Sequence, residues 1–569
     1  MSTVGIAGSG PATEAIEAAL ADAGIDAARV DVDDLPSTRV GVVIARTGDD
    51  RFARANDAIE GPWIAVELGG VGGYALEDVV ASVAGFTPET GCYTCLRTRV
   101  AAGDPAVDSV ETDPRSARFA GAIAGYELVA ALGGDETSLL GGVIELPYTQ
   151  RRLLPVPTCS CGERTQAPER GERVDRPLED AIARAEVAVD ERLGIVREVG
   201  EVASFPAPYY LATGAETSGF SDVSAATKAA GVAVDWNTAY MRALGEALER
   251  YGAGVYRNAN LDHDRPADRP DAVPPAVFAG VEDTDAEIPW VDGERLDSGE
   301  SVSLPAEFVH FPPPEKRFGS AITTGLGLGS SPDAALLSGL YETVERDATM
   351  LAWYSTFEPL ELDVEDGGFE TLSRRAASEG LSVTPLLVTQ DVDVPVVAVA
   401  VHREGNEPDG EAGWPRFAVG SDANLDTNAA ARSALCEALQ NWMELRSMGP
   451  EGAESSSGWI GRYGSFPAPA REFIDVDGRV DASAVGVDVS SANELDTVLE
   501  RITDAGLTPY AAWLTPRDVR DLGFEVARVL VPEAQPLFTR EPVFAERART
   551  VPRSLGFEPR PDRQPHPYP

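Results

Sequence analysis

Four cysteines stand in two close pairs whose spacing could hold a metal ion. Cys92 and Cys95 form a CxxC motif, and Cys159 and Cys161 form a CxC motif. Four thiolates suit tetrahedral zinc, and a site with no open coordination position is structural. Two alternatives remain: unrelated pairs of reduced cysteines, or redox use of the CxxC motif, although no thioredoxin-like sequence surrounds it. The pattern predicts one structural zinc ion.

Three predicted helices carry pairs of polar residues three positions apart. They are 240–251 with Glu246 and Glu249, 334–353 with Glu342 and Glu345, and 429–446 with Glu437 and Gln440. Residues three apart lie on one helical face, and carboxylates among small or apolar neighbours need cations or donors as partners. Two ExxE pairs facing one cavity would hold Mg²⁺, which keeps positions for water and phosphates, so a nucleotide is implied. The simpler interpretation is structural ion pairs with the adjacent arginines.

The N-terminal elements alternate as expected for a Rossmann-like unit. Strands are predicted over 4–7, 29–32 and 40–45, with a glycine turn and a helix over 13–23 after the first strand. Thr13 stands where the dinucleotide-binding fingerprint has its third glycine. We therefore interpret this loop as scaffold, with nucleotide binding as the weaker alternative.

The rest of the chain mixes strands with long helices, so the predicted fold class is α/β with α+β character. A charged segment at 162–180 is the predicted linker, and it overlaps an amphipathic helix predicted over 177–196. The predicted domains are residues 1–165, Rossmann-like with the zinc site, and 166–569. The proline-rich end, 559–569, is predicted to be an extended tail.

The composition is strongly acidic and restricts the possible partners. The formal net charge is −46, the hydrophobic share is 43%, and Lys228 and Lys316 are the only lysines. Such charge suits a salt-rich cytoplasm, where ions screen the repulsion, and it argues against general nucleic-acid binding. No apolar run is long enough for a membrane span, and no signal peptide is evident, so a cytoplasmic protein is expected.

Several separated motifs resemble the YcaO superfamily in order and spacing. They are ALGEALERYGAG, ITTGLGLGSSPDAALLSGLYETVERDA and SALCEALQNW around the three helices, PWVDGERLDSG and SVSLPAEFVHF between the first two helices, and PHPYP at the end, which is similar to the family's PxPxP tail. The resemblance covers residues 177–569. It implies an ATP- and magnesium-dependent enzyme that activates the amide bonds of a peptide.

The upstream cysteines extend the resemblance to cyclodehydratases that make thiazole- and oxazole-modified peptides. In these proteins, some described as docking scaffolds of the streptolysin S-type pathway, an E1-like N-terminal region that has lost adenylation presents the substrate. The implied substrate is a ribosomal precursor peptide of the bacteriocin type. The resemblance also implies a homodimer and a flavin dehydrogenase partner. Since no winged-helix leader-binding domain is evident, a separate leader-recognition protein is a further expected partner.

The resemblance also implies roles for residues. Glu246, Glu249, Glu342 and Glu345 would hold Mg²⁺ and so orient ATP, and Glu437 and Gln440 would line the nucleotide site. The carboxylate of Pro569 would lie near the peptide and act as a base. Three positions depart from the family pattern. They are Arg242 in place of serine, Val232 in place of the lysine of a GKG turn, and Thr324 in place of asparagine.

Two other functions fit the same motifs. In one, ATP activates the amide but sulfide is the nucleophile, which gives a thioamide. In the other, the protein is a non-catalytic scaffold that binds peptide. The cysteine-bearing N-terminal region favours cyclodehydration over thioamide formation, and the intact ExxER pairs favour an enzyme over a scaffold.

Overall fold

The computed structural model describes residues 4–103, 110–135, 137–147, 149–162, 176–319, 322–403, 413–455, 459–487 and 493–569. In these residues four β-sheets combine with helices, which confirms the predicted α/β fold class. The predicted boundary at 165/166 lies outside the described residues and stays a prediction. No helix of the described residues is long and apolar enough to cross a membrane.

The N-terminal region forms one seven-stranded sheet in the order β2-β1-β3-β4-β5-β6-β7. Its first four strands are parallel and the rest antiparallel, as in a truncated Rossmann unit. The strands are β1 Val4–Ala7, β2 Ala27–Arg29, β3 Val40–Arg46, β4 Trp63–Leu68, β5 Ala81–Phe86, β6 Gly142–Leu146 and β7 Thr149–Arg152. The helices are α1 Pro11–Asp22, α2 Arg51–Ala58, α3 Tyr93–Ala101 and α4 Pro114–Gly133.

The second predicted strand, 29–32, is placed too late in the sequence. The observed strand β2 ends at Arg29, because Val32 begins a 3₁₀ turn that contains Pro36. The helix predicted over 177–196 is too long. The observed helix α5, Leu178–Ala185, passes into a 3₁₀ turn, and the chain then reverses where Gly194 donates its backbone N–H to the carbonyl of Asp190.

Three further sheets follow α5. Their orders are β10-β9-β8, then β11-β12-β20-β21-β14 with β13 paired to β12, and β18-β17-β16-β15-β19. The strands are β8 Val196–Ala203, β9 Tyr209–Gly214, β10 Lys228–Val232, β11 Asp262–Asp264, β12 Ile288–Arg295, β13 Glu300–Pro305, β14 Leu326–Gly329, β15 Leu360–Asp363, β16 Ser382–Leu387, β17 Val396–His402, β18 Phe417–Ala423, β19 Arg479–Asp481, β20 Tyr510–Trp513 and β21 Glu525–Leu530.

The three carboxylate-bearing helices are longer than predicted. They are α6 Trp236–Gly254, α8 Pro332–Trp353 and α10 Thr427–Ser455, which breaks at Gly449. The other helices are α7 Ala306–Val309, α9 Gly367–Ser378, α11 Ile460–Tyr463, α12 Ala468–Ile474, α13 Glu494–Asp504, α14 Arg517–Asp521 and α15 Arg547–Ser554. Side-chain caps from Asp235 and Ser331 start α6 and α8 earlier than the apolar periodicity indicates.

The N-terminal region and the rest of the chain share a hydrophobic core. Cys95 of α3 and Val156, which follows β7, belong to one hydrophobic cluster with Leu244 and Tyr251 of α6 and with Phe524. The cysteine motifs therefore share a hydrophobic cluster with the helix that carries the first glutamate pair.

Candidate active site

The same strand-then-helix arrangement positions a glutamate three times. Strands β10, β14 and β18 each precede one of the long helices, and a backbone N–H at each strand donates to a carboxylate on the helix that follows. The pairs are Ala230 N to Glu246 Oε2, 2.6 Å, Gly325 N to Glu342 Oε2, 2.9 Å, and Ser421 N to Glu437 Oε2, 2.6 Å. Glycines on the strands, Gly231, Gly327 and Gly420, allow this approach, because a Cβ at any of them would collide with the helix backbone.

The first carboxylate group consists of Glu246, Glu249 and Glu342. Burial, followed by the charges of Glu342 and Glu246, raises the pKa of Glu249 to about 8. Burial is also the largest cause that raises the pKa values of Glu246 and Glu342. Arg250 pairs with Glu246, and the buried Arg528 acts on Glu249 and Glu342 through charge. Carboxylates crowded in this way gain most from a divalent cation.

A second group surrounds Arg346 on the adjoining face of α8. Arg346 Nη1 lies 3.2 Å from Glu345 Oε1, and Arg346 Nη2 lies 3.9 Å from Glu437 Oε1. Ser421 Oγ donates to Glu345 Oε1 at 2.6 Å. Burial, ahead of the charges of Glu345 and Glu437, raises the pKa of Asp422 well above its ordinary value. Burial also raises the pKa of Glu437 to about 7.

The structure thus divides the proposed magnesium ligands between two groups. Glu342 contacts both, since Arg346 Nε lies 3.9 Å from its Oε1. Within the described residues, only the cysteines bring three or more ligand atoms within 4.8 Å of one another. The carboxylates would therefore hold cations together with water and phosphate oxygens, which is how Mg²⁺ is usually bound in nucleotide sites. The Arg346 guanidinium lies 3.2–3.9 Å from carboxylate oxygens of Glu342, Glu345 and Glu437, so its positive charge offsets part of their mutual repulsion.

Gln440 lies beside these groups but contacts a different glutamate. Its Nε2 donates to Glu444 Oε1 at 3.1 Å, and the Tyr209 hydroxyl donates to the same oxygen at 2.9 Å.

Two of the three residues that depart from the family pattern contact each other. Arg242 donates to the carbonyl of Val232 at 2.9 Å and to Ser433 Oγ at 3.0 Å. Arg242 thereby joins α6 to α10 across the site.

The C-terminal tail packs into the protein beside the second carboxylate group. The Trp353 indole donates to the Gln564 carbonyl at 2.8 Å, and His566 Nε2 lies 2.6 Å from the Phe538 carbonyl oxygen. Tyr568 is 1% exposed, and its pKa is raised by burial and then by the charge of Glu345. Pro569, the predicted base, is half-buried next to Tyr568.

The four cysteine sulfurs form a compact group. The Sγ–Sγ distances are 3.8 Å for Cys92–Cys95, 3.7 Å for Cys92–Cys159 and 3.5 Å for Cys95–Cys161. Tetrahedral zinc with bonds of about 2.3 Å requires sulfurs about 3.8 Å apart. The backbone N–H of Val156 donates to Cys95 Sγ at 3.2 Å. The donor set and its spacing fit one zinc ion.

A buried polar cluster connects the cysteines to α6. Arg99, one helical turn after Cys95, donates to Asp518 Oδ2 at 2.8 Å, and the Tyr251 hydroxyl donates to the same oxygen at 2.7 Å. All three side chains are at most 3% exposed. Breaking a buried ion pair costs about 3–5 kcal/mol, so this cluster fixes α3 against the helix that carries Glu249.

Three polar residues of the site were not predicted from the sequence. Ser421 and Asp422 lie near the end of β18 in no distinctive motif, and Arg528 lies on β21, far from the glutamates in sequence. Asp422 and Arg528 carried one usable signal, since each is a charged residue within a mostly apolar strand, and such residues need a partner.

Comparisons with known proteins agree with this geometry. The family model for YcaO cyclodehydratase, ATP- and Mg²⁺-binding, matches residues 230–535. An uncharacterized protein of Methanothermobacter thermautotrophicus is 27% identical over 311 residues, 51% of this chain and 77% of the relative. A heterocyclase solved in complex with substrate and cofactor has a TM-score of 0.74 at 19% identity, over 98% of this chain and 83% of that one. The heterocyclase TruD has a TM-score of 0.66 at 19% identity, over 97% of this chain and 82% of TruD. These two structures share the fold over almost the entire chain.

Proposed function

The chain belongs to the YcaO family of ATP- and Mg²⁺-binding cyclodehydratases, and we propose that it converts Cys, Ser or Thr residues of a ribosomal precursor peptide into azolines. The observation that supports this proposal is the threefold strand-to-helix arrangement, in which a backbone N–H at each strand donates to Glu246, Glu342 or Glu437 on the helix that follows. A precursor peptide, a leader-recognition protein and a flavin dehydrogenase are the proposed partners, and a homodimer the proposed assembly.

The proposed reaction begins when a Cys, Ser or Thr side chain attacks the preceding amide carbonyl. Bound ATP with Mg²⁺ would supply the phosphoryl group that is transferred to the former amide oxygen and leave as ADP. Loss of the amide proton and departure of that oxygen as phosphate would then form the C=N bond of the azoline. Glu246, Glu249, Glu342 and Glu345 would hold Mg²⁺, with Glu437 and Gln440 beside the nucleotide. The Pro569 carboxylate would accept the proton of the attacking side chain or of the amide nitrogen.

Mass spectrometry of a candidate precursor peptide incubated with the enzyme, ATP and Mg²⁺ tests the function. An azoline product is lighter than the substrate by one water per ring, whereas exchange of oxygen for sulfur raises the mass. ATP hydrolysis that does not respond to any peptide, together with an unchanged peptide mass, would favour the non-catalytic scaffold.

Removing only Pro569 should reduce peptide cyclisation by about 100-fold or more, because general-base catalysis contributes roughly 10²–10⁴. The deletion moves the terminal carboxylate onto Tyr568 but keeps the buried Tyr568 ring, which a longer truncation would remove. Cyclisation rates and ATP affinity are the measurements, with Pro569→Ala as the control because it keeps the carboxylate in place. Equal rates in the deletion and the control would show that the terminal carboxylate is not the base.

We also propose that the fold requires salt. The net charge is −46, and at low salt the surface carboxylates repel one another because few ions screen them. The Debye length falls from about 10 Å at 0.1 M salt to about 3 Å at 1 M. The melting temperature should rise across a KCl series and should not rise to the same extent with sucrose of equal osmolality. A melting temperature independent of KCl would contradict this proposal.

A further inference from the structure

A cavity of about 680 Å³ lies beside the carboxylate groups. Arg346 and Arg528 form part of its wall at the active site, and Phe278, Phe308 and Phe318 line another part. None of the six residues proposed to hold magnesium and nucleotide lines it. A pocket of this size with apolar walls and a few polar groups is typical of a ligand site.

The three phenylalanines form one aromatic stack. The Phe278 and Phe308 ring centroids are 4.0 Å apart at an interplanar angle of 15°, and those of Phe308 and Phe318 are 5.8 Å apart at 19°. All three side chains are half-buried, and their residues line the cavity. Such rings favour another ring or a large apolar side chain as their contact.

A buried carboxylate fixes this stack. Glu307 is 5% exposed, and its Oε1 accepts from the backbone N–H of Arg317 at 3.0 Å, of Phe318 at 2.7 Å and of Gly319 at 3.1 Å. Since Glu307 immediately precedes Phe308, it holds the loop that carries Phe318 against the neighbouring ring. The aromatic wall is therefore positioned before any ligand arrives.

The active-site end of the cavity offers unused hydrogen-bond donors. Arg528 is 5% exposed, its Nη2 donates to the Ile322 carbonyl at 2.9 Å, and its Nε and Nη1 have no hydrogen-bond partner among the residues described. Phe538 also lines the cavity, and its carbonyl oxygen accepts a hydrogen bond from His566 Nε2 of the tail at 2.6 Å. The tail proposed to act on the peptide thus packs against the cavity wall.

We propose that this cavity is a substrate-specificity pocket, which binds a large apolar side chain, aromatic above all, next to the residue that is modified. The inference rests on the proposed function and names the class of peptide that the enzyme accepts. The peptide backbone would reach Arg346 and Arg528 while the flanking side chain packs on Phe308. The adenine base of ATP is the competing occupant, and it is disfavoured because the proposed nucleotide residues lie outside the cavity wall.

Calorimetric titration with two unreactive probes tests the pocket without turnover. The probes are N-acetyl-Gly-Phe-Gly-amide and N-acetyl-Gly-Asp-Gly-amide, which lack Cys, Ser and Thr. Wild-type protein should bind the Phe probe about tenfold more tightly, since burial and ring contact together contribute that much. Phe308→Ala should bring the ratio close to one, and Phe308→Leu, which keeps apolar volume, should leave an intermediate ratio. Phe119→Ala, at a ring 50% exposed on α4, is the matched control and should change nothing.

Two results would overturn the pocket assignment. One is equal binding of both probes by the wild-type protein. The other is displacement of the Phe probe by adenosine, together with loss of ATP affinity in the Phe308→Leu variant, which would place the base in the cavity. Cyclisation of Phe-Cys and Asp-Cys peptides separates this inference from the proposed function. Selective probe binding without any cyclisation would contradict the function alone, and cyclisation without selectivity would contradict the pocket alone.

Discussion

Replacing Glu249 with glutamine should abolish ATP-dependent peptide modification while the protein remains folded. Glutamine keeps the size and hydrogen bonding of glutamate but removes one charge from a group that also contains Glu246 and Glu342. Loss of an outer-shell partner of a metal commonly costs 10–100-fold in affinity or activity, so loss of a direct ligand should cost at least about 100-fold. Peptide-dependent ATP turnover and the affinity for Mg²⁺–ATP are the measurements.

Thermal unfolding without metal separates a functional role from a structural one. The pKa of Glu249 is about 8 in the fold, above the ordinary glutamate value, so its ionisation opposes folding. The loss of folding free energy caused by this ionisation is absent below the unfolded-state pKa of Glu249, grows as the pH rises, and reaches its full value above about pH 8. At pH 8.5 the Glu249→Gln variant should therefore melt at or above the wild-type temperature.

The exposed Glu370 on α9 provides a matched control, and Glu370→Gln should keep both activity and melting temperature. Wild-type turnover in Glu249→Gln would contradict the magnesium assignment. A lower melting temperature with normal turnover would instead indicate that Glu249 is one half of a structural ion pair.

The sequence predicted the helices of the site because their chemistry is local. The ExxER spacing places Glu246 near Glu249 on α6 and Glu342 near Glu345 on α8. In the structure Glu342 belongs to the group of Glu246 and Glu249, whereas Glu345 faces Arg346 and Ser421. The spacing could not predict the backbone donors of β10, β14 and β18, because these depend on how each strand packs against the following helix. Arg528 was missed for the same reason, since only the pairing of β14 with β21 brings it beneath Glu342.

Gln440 shows the limit of reasoning from spacing. It lies three residues after Glu437, one turn along the same side of α10, yet its amide donates to Glu444 and not to the carboxylates of α6 or α8. A helix faces its neighbours over only part of its length, and crossing positions are set by tertiary packing. Its role beside the nucleotide stays a prediction.

Replacing Cys95 with serine should remove zinc and destabilise far more than the N-terminal sheet. A structural zinc ion contributes apparent binding free energies of about 10–16 kcal/mol in small zinc domains, and here the sulfurs join α3 to the segment that follows β7. Elemental analysis should find about one zinc per wild-type chain and none in Cys95→Ser, which should melt at a lower temperature. Cys436→Ser is the matched control, since Cys436 is buried in α10 away from the metal site.

The same substitution should also weaken Mg²⁺–ATP binding. Arg99, Asp518 and Tyr251 connect the cysteine site to α6, the helix that carries Glu246 and Glu249. Tyr251 stands two residues after Glu249, so a displaced α3 leaves Asp518 without its cation and loosens α6 near the carboxylates. Asp518→Asn should reproduce the weaker ATP affinity while it retains zinc, which distinguishes this route from general unfolding. Zinc-free Cys95→Ser protein with unchanged melting temperature and ATP affinity would show that the cysteines stabilise neither region.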